Sequence, residues 1–261
     1  MHNDTIKKTL LVAALLSIAC SVIVSSASVI LRTNQQINKA LDKKRNILEV
    51  AGLLEEGKSI EELFGRFEAR VVNLETGEFA NKVITENFDQ RKAAKGPASS
   101  VQIERKADLA RIKRRSKLAL VYWERDPEGQ LQQLIIPVHG KGLWSTMYGF
   151  LALDADLRTI RGFGFYEHGE TPGLGGEVDN PLWKSQWQGK LAFDEAWETR
   201  ITVLKGKVNP NNPNAQFQVD GLSGATITAR GVRDLLKFWL GKDGFGPFLA
   251  KMRISERVTH G

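Results

Sequence analysis

The residues best able to do chemistry in this chain lie in residues 220–228, Asp-Gly-Leu-Ser-Gly-Ala-Thr-Ile-Thr. Small and hydroxyl side chains crowd there just ahead of an amphipathic run, residues 231–240, in which Val232, Leu235, Leu236, Trp239 and Leu240 recur at helical spacing. A hydroxyl at a helix start stands among N–H groups that have no intrahelical partner, where the helix dipole favours negative charge. The chemistry that suits such a place is that of a phosphate, either held or esterified. Ser223, Thr226 and Thr228 are the hydroxyls available, and spacing alone does not choose between Thr226 and Thr228 as an attachment point. Gly224 and Ala225 keep side-chain bulk low beside these hydroxyls. Asp220, six residues before Thr226, reads by itself as a turn-capping residue.

Two further segments share this character: residues 140–149 (GKGLWSTMYG) and residues 168–177 (HGETPGLGGE). Each by itself is compatible with plain turns. Gly173-Leu174-Gly175-Gly176 lacks the G-x-G-x-x-G spacing of a dinucleotide fingerprint. His168 has no second His or Cys nearby, so it reads as a loop-packing histidine and no metal site is expected. Glu170 and Glu177 have the side chains of a general acid/base pair, but nothing else points to hydrolysis, and no catalytic residue is assigned.

The elements that must position these segments form an α+β pattern: antiparallel strands with helices at the edges. Residues 118–123 and 131–138 read as strands around an Asp126-Pro127-Glu128-Gly129 turn; residues 150–153 and 160–166 read as a second pair. Residues 201–205 give another short strand, residues 209–214 (NPNNPN) a turn-rich loop, and residues 244–247 a stop after the amphipathic helix. Helices are expected over residues 44–53 and 60–67 with a break at Gly57, and an exposed loop over residues 91–100.

Residues 9–31 hold no charge, and a helix needs about 20 apolar residues to cross a bilayer. The segment reads as a retained anchor; a signal peptide cleaved near Ser25-Ser26-Ala27 is the rival, against which the apolar run continues through Leu31. The organisation expected is therefore a tail (1–8), a transmembrane helix (9–31), a helical, basic membrane-proximal segment (32–125) and a chemistry-bearing domain (126–261). Lys7 and Lys8 favour a cytoplasmic N-terminus, while Arg32, Lys39, Lys43, Lys44 and Arg45 leave the charge rule undecided. The one cysteine, Cys20, lies in the apolar run, so the rest of the chain has no disulfide and no thiolate site. The net charge is +7, with a basic cluster in residues 105–117. Leu109 and Ile112 give that cluster a helical face, and no aromatic interleaving or nucleic-acid motif accompanies it; a solvated or lipid-facing surface is expected, not a nucleic-acid partner.

Taken together, Gly142-Leu143-Trp144, residues 168–175 (HGETPGLG), residues 223–228 (SGATIT) and residues 46–53 (NILEVAGL) resemble the NqrC family of the Na(+)-translocating NADH:quinone oxidoreductases over the whole chain. The resemblance implies a periplasmic FMN-binding domain on a single helix in a bacterial inner membrane. It implies FMN joined through its phosphate to Thr226 by a separate flavin transferase acting on FAD, with Gly224 and Ala225 leaving room for the pyrophosphate and Asp220 orienting the hydroxyl or a metal of the transferase. It further implies Trp144 and Leu174 packed on the isoalloxazine, backbone groups of Glu170, Thr171, Gly173, Leu174 and Gly175 on its polar edge, Lys205 beside an anionic flavin or phosphate, and Ser223 and Thr228 near the phosphate. Electrons would pass through the flavin between centres of other subunits. No NADH signature and no intramembrane acid is present, so NADH oxidation and the sodium path fall to those partners. An RnfG-type component of a ferredoxin-linked complex and an anchored domain that never carries flavin are the alternatives.

Overall fold

The computed structural model describes residues 6–85 and 88–259. The chain divides into two units, Met1–Lys43 and Lys44–Gly261. In the first, the described residues belong to α1 (Ile6–Val50), whose apolar side chains over residues 10–31 are exposed. Among the described residues it is the one helix long and apolar enough to cross a membrane. Of the expected tail, residues 1–5 lie outside the described residues, and Ile6, Lys7 and Lys8 are already helical.

The second unit is built on a five-stranded sheet in the order β1-β4-β5-β6-β7, every neighbour antiparallel. In chain order its elements are the end of α1, α2 (Ile60–Phe64), β1 (Phe67–Asn73), α3 (Gln90–Lys95), β2 (Ser100–Gln102), β3 (Arg114–Ser116), β4 (Leu118–Arg125), β5 (Leu131–Lys141), β6 (Thr146–Asp154), β7 (Ile160–Glu167), α4 (Pro181–Ser185), β8 (Thr202–Val203), β9 (Gln218–Val219), α5 (Thr226–Leu240) and α6 (Gly246–Thr259). β2 and β3 form a small antiparallel pair, and β8 and β9 a parallel one.

Side chains alternate across a strand, and both faces of this sheet are covered. Val121, Trp123, Leu134, Ile136, Val138, Leu151 and Leu153 point to one face, where Val232, Leu235, Leu236 and Trp239 of α5 meet them. Each such fully buried large side chain contributes roughly 1.5–3 kcal/mol relative to exposure. Tyr122, Ile135, Phe150 and Ala152 point to the other face, covered by Ile47, Leu48, Val50 and Ala51 at the end of α1 and by Leu63 of α2. Two glycines bring α5 close to the end of β5: a Cβ on Gly231 would lie 2.5 Å from the Lys141 carbonyl, and one on Gly140 would lie 2.6 Å from Leu235 Cβ.

Several expectations are corrected. Residues 44–50 do not form a separate helix but continue α1. It ends where Gly52 takes φ +68° and the Leu53 N–H donates to Leu48 O and the Gly52 N–H to Glu49 O, a Schellman stop that glycine makes without strain. Past Phe64 the chain turns into β1, so residues 32–125 are not a mostly helical segment: β1 and β4 pair within the same sheet as β5, and no boundary falls at 125/126. Residues 105–117 are turns followed by β3, with Arg111 and Lys113 at φ +55° and +63° and the Asp108 carboxylate accepting from the Ile112 and Lys113 N–H groups. Residues 91–95 of the expected loop belong to α3, begun by an Asp89 cap. α5 stops at Gly241, while Gly246 and Pro247 start α6.

Candidate functional site

α5 begins at Thr226 and not at residue 231, so the hydroxyl-rich motif enters the helix itself. The residue before it, Ala225, has no side chain that can cap, and no side-chain cap bond is made. Ser, Thr, Asp or Asn there would stabilise the helix by about 1 kcal/mol, so the first turn keeps N–H donors that a protein side chain ordinarily satisfies. Thr226 is half-buried, and its hydroxyl meets no hydrogen-bond partner among the described residues. Thr228 differs in both respects: it is fully buried, and Oγ1 donates to Glu170 Oε2 at 2.6 Å.

Gly224 (φ +69°) and exposed Ser223 form the turn into the helix. A Cβ on Gly224 would lie 2.9 Å from Leu174 Cδ2, so the second segment touches the third here. Gly173 also has a positive φ (+75°), with Thr171 O accepting from the Leu174 and Gly176 N–H groups to close that turn.

Glu170 joins the first segment to the other two. The residue is 5% exposed, and its carboxylate accepts from the N–H groups of Leu143 (3.1 Å), Trp144 (3.0 Å) and Ser145 (3.2 Å) as well as from the Thr228 hydroxyl. Burial acts to raise its pKa, but the Thr228 hydroxyl and those amides outweigh it and hold the group below the usual carboxylate range. The Glu170 side chain therefore faces inward, and its own N–H donates to His168 Nδ1, so neither that N–H nor the Leu174 N–H is free for a flavin edge. His168 Nε2 lies 2.7 Å from Asp179 Oδ2. That bond, against burial, raises the His168 pKa above its usual value.

Asp220 organises the loop before the motif. Its Oδ1 accepts from the Val208 N–H, its N–H donates to Gln186 Oε1, and its carbonyl accepts from Trp183 Nε1. Lys205 lies exposed on the loop after β8, and its carbonyl would be 2.9 Å from a Cβ on Gly221.

Three segments 25 to 58 residues apart are thus brought together by Glu170 and its bonds. Large apolar side chains stand exposed on them: Leu143 (41%), Trp144 (67%), Leu174 (45%) and Ile227 (48%). Ile227 was not singled out in the sequence; its place after Thr226, outside the buried stripe of α5, is the signal that marks it. An uncapped helix start, an unengaged threonine hydroxyl and exposed apolar side chains fit a ligand with a phosphate at one end and a flat apolar ring system at the other.

The FMN-binding domain family matches residues 142–241, from within the first segment through the other two. The C subunit of the Na(+)-translocating NADH-quinone reductase of Pseudomonas aeruginosa is 49% identical over 259 residues, covering 98% of this chain and 99% of that protein. Its namesake from Vibrio campbellii is 49% identical over 257 residues, covering 97% of each. Among solved structures, Shewanella oneidensis NqrC aligns with a TM-score of 0.74 at 36% identity, covering 81% of this chain and 96% of that one. The C subunit of the Parabacteroides distasonis reductase aligns with a TM-score of 0.64 at 30% identity, covering 84% of this chain and 96% of that one.

Proposed function

This chain belongs to the NqrC family of the Na(+)-translocating NADH-quinone reductases, and we propose that it carries electrons within such a complex through FMN esterified to Thr226. It is one component of a multi-subunit oxidoreductase and contains an FMN-binding domain. The observation that carries the finer reading is the contrast between the two threonines. The Thr226 hydroxyl is unengaged at the uncapped start of α5, whereas the Thr228 hydroxyl is buried and spent on Glu170.

Attachment needs a hydroxyl that an enzyme can reach. On this reading Thr226 Oγ1 would form the O–P bond to the flavin-side phosphorus of FAD as the P–O bond to the departing AMP breaks, its proton passing to a base of a flavin transferase. The N–H groups of the first turn of α5 are the donors that would hold the phosphoryl oxygens in place of the missing side-chain cap. Ser223 and the Gly224 turn border that phosphate, and Lys205 lies on a neighbouring loop where a cation offsets its charge. Trp144, Leu174, Leu143 and Ile227 supply the apolar surface for the ring system. FMN, when bound, accepts and releases electrons one at a time; the protein fixes its place and sets its potential. The apolar run 9–31, in the one helix among the described residues long and apolar enough to cross a membrane, supplies the anchor of this reading, which puts the FMN-binding domain on the periplasmic side of a bacterial inner membrane.

Intact mass of the protein produced with a flavin transferase tests this. Wild type and Thr228→Val are expected to gain the mass of FMN less water, and Thr226→Val is not. An adduct that persists in Thr226→Val and disappears in Thr228→Val would move the attachment site and overturn the assignment.

A further inference from the structure

We propose that Glu170 is the positioning residue of the site: its buried carboxylate ties the loop of residues 143–145 to the start of α5, and its fixed negative charge makes reduction of the cofactor harder. The inference rests on the proposed flavin site. Two observations of the fold support it independently of any ligand.

The first is convergence. One carboxylate collects three successive backbone N–H groups from the loop between β5 and β6 and the hydroxyl of Thr228, two residues along α5 from Thr226. Three consecutive donors on one anion fix both backbone and orientation in the loop that presents Leu143 and Trp144. The second is enclosure. A Cβ at Gly142 would lie 2.6 Å from Glu170 Oε1; one at Gly175 would lie 2.9 Å from Glu170 Oε2 and 2.6 Å from Thr228 Oγ1. The absence of side chains at these two motif glycines therefore makes room for a buried anion, and their φ angles lie outside the left-handed region that would otherwise require glycine. Lys141 donates its Nζ to the Trp144 carbonyl, His168, which feels the Glu170 charge, pairs with Asp179, and Glu170 makes no ion pair of its own among the described residues. A charge held this way, satisfied by dipoles but not neutralised, opposes further negative charge nearby.

The test uses the full-length, flavin-loaded protein in detergent, with the variants Glu170→Gln, Thr228→Val and Thr228→Ser. Amide hydrogen exchange of residues 143–145 reports positioning: it is expected to accelerate at least tenfold in Glu170→Gln, less in Thr228→Val, and to be restored in Thr228→Ser. The flavin midpoint potential reports the charge. Glu170→Gln is expected to favour reduction about tenfold, or about 59 mV for a one-electron step, while Thr228→Val, which loosens the contact but keeps the charge, leaves the potential within a third of that shift. Equal shifts in Glu170→Gln and Thr228→Val, or none in either, would overturn the charge role. Unchanged exchange in Glu170→Gln would overturn the positioning role. Wild-type protein with no covalent flavin would instead refute the proposed function, and the exchange measurement on that flavin-free protein would still decide the positioning role.

Discussion

Lowering the pH from 8 to 5 should weaken this protein through one half-buried imidazole. His139, on β5, stacks on Tyr148 (centroids 5.4 Å apart, planes 22° apart) and lies 4.8 Å from the Trp239 ring of α5. Burial first, and the charge of Arg91 second, push its pKa down to about 4. The same side chain in the unfolded chain titrates near its ordinary value of about 6.5. The folded pKa is the lower of the two, so the unfolded state binds the proton first. The stabilising difference is complete above about pH 6.5 and is lost as the pH falls towards 4. Integrated from pH 8 to pH 5, the linkage amounts to about 2 kcal/mol, a large part of a typical stability of about 5–15 kcal/mol. Urea unfolding of the detergent-solubilised protein at both pH values, for wild type and His139→Phe, measures it. Phe keeps a ring between Tyr148 and Trp239 but cannot take a proton. His168 and the carboxylates titrate in both proteins and cancel in the comparison. Wild type is expected to lose about 2 kcal/mol more than the variant. Equal losses, within about 0.5 kcal/mol, would refute the reading that folding keeps this imidazole neutral.

Other perturbations separate the parts of the site. Gly175→Ala places a Cβ 2.6 Å from Thr228 Oγ1 and should cost about 1–3 kcal/mol in urea unfolding, whereas Gly173→Ala, at φ +75° in open space, should cost only the left-handed penalty of about 1–2 kcal/mol and leave Thr228 buried. Trp144→Ala should change stability by less than about 0.5 kcal/mol, because the side chain is 67% exposed, yet alter the fluorescence of bound flavin; an unaltered flavin spectrum would remove Trp144 from the ring contact. Asp179→Asn should bring the His168 pKa down towards its ordinary value in an NMR titration, since the Asp179 bond is the leading cause of its rise. In wild type that bond stabilises the fold fully below the unfolded pKa of about 6.5 and is lost as the pH climbs through the higher folded value.

The strands were legible where apolar and polar residues alternate or run together: β4, β5, β6 and β7 overlap the expected segments. β1 was hidden because Phe67 continues the spacing of α2, and only pairing with β4 distinguishes a strand there. The Leu109 and Ile112 spacing fits one helical turn, but Asp108 offers the backbone a competing cap and two left-handed residues follow. The hydroxyl motif was readable as a helix start because its composition is local. The inward turn of Glu170 was not, since its partners come from 25 to 58 residues away and sequence spacing carries no trace of them.

The end of α1 carries a consequence for how such chains can vary. Ile47, Leu48 and Val50 are core residues, and a Cβ on Gly162 of β7 would collide with the Val50 carbonyl. A helix advances about 100° per residue. One residue inserted or deleted between Asn46 and Gly52 would therefore rotate this apolar stripe off the sheet, although the same change in a surface loop such as residues 209–214 is readily absorbed. Length variation among functional descendants of this chain is thus expected in its loops and barred from that single turn of helix. A library of one-residue insertions would display the gap directly.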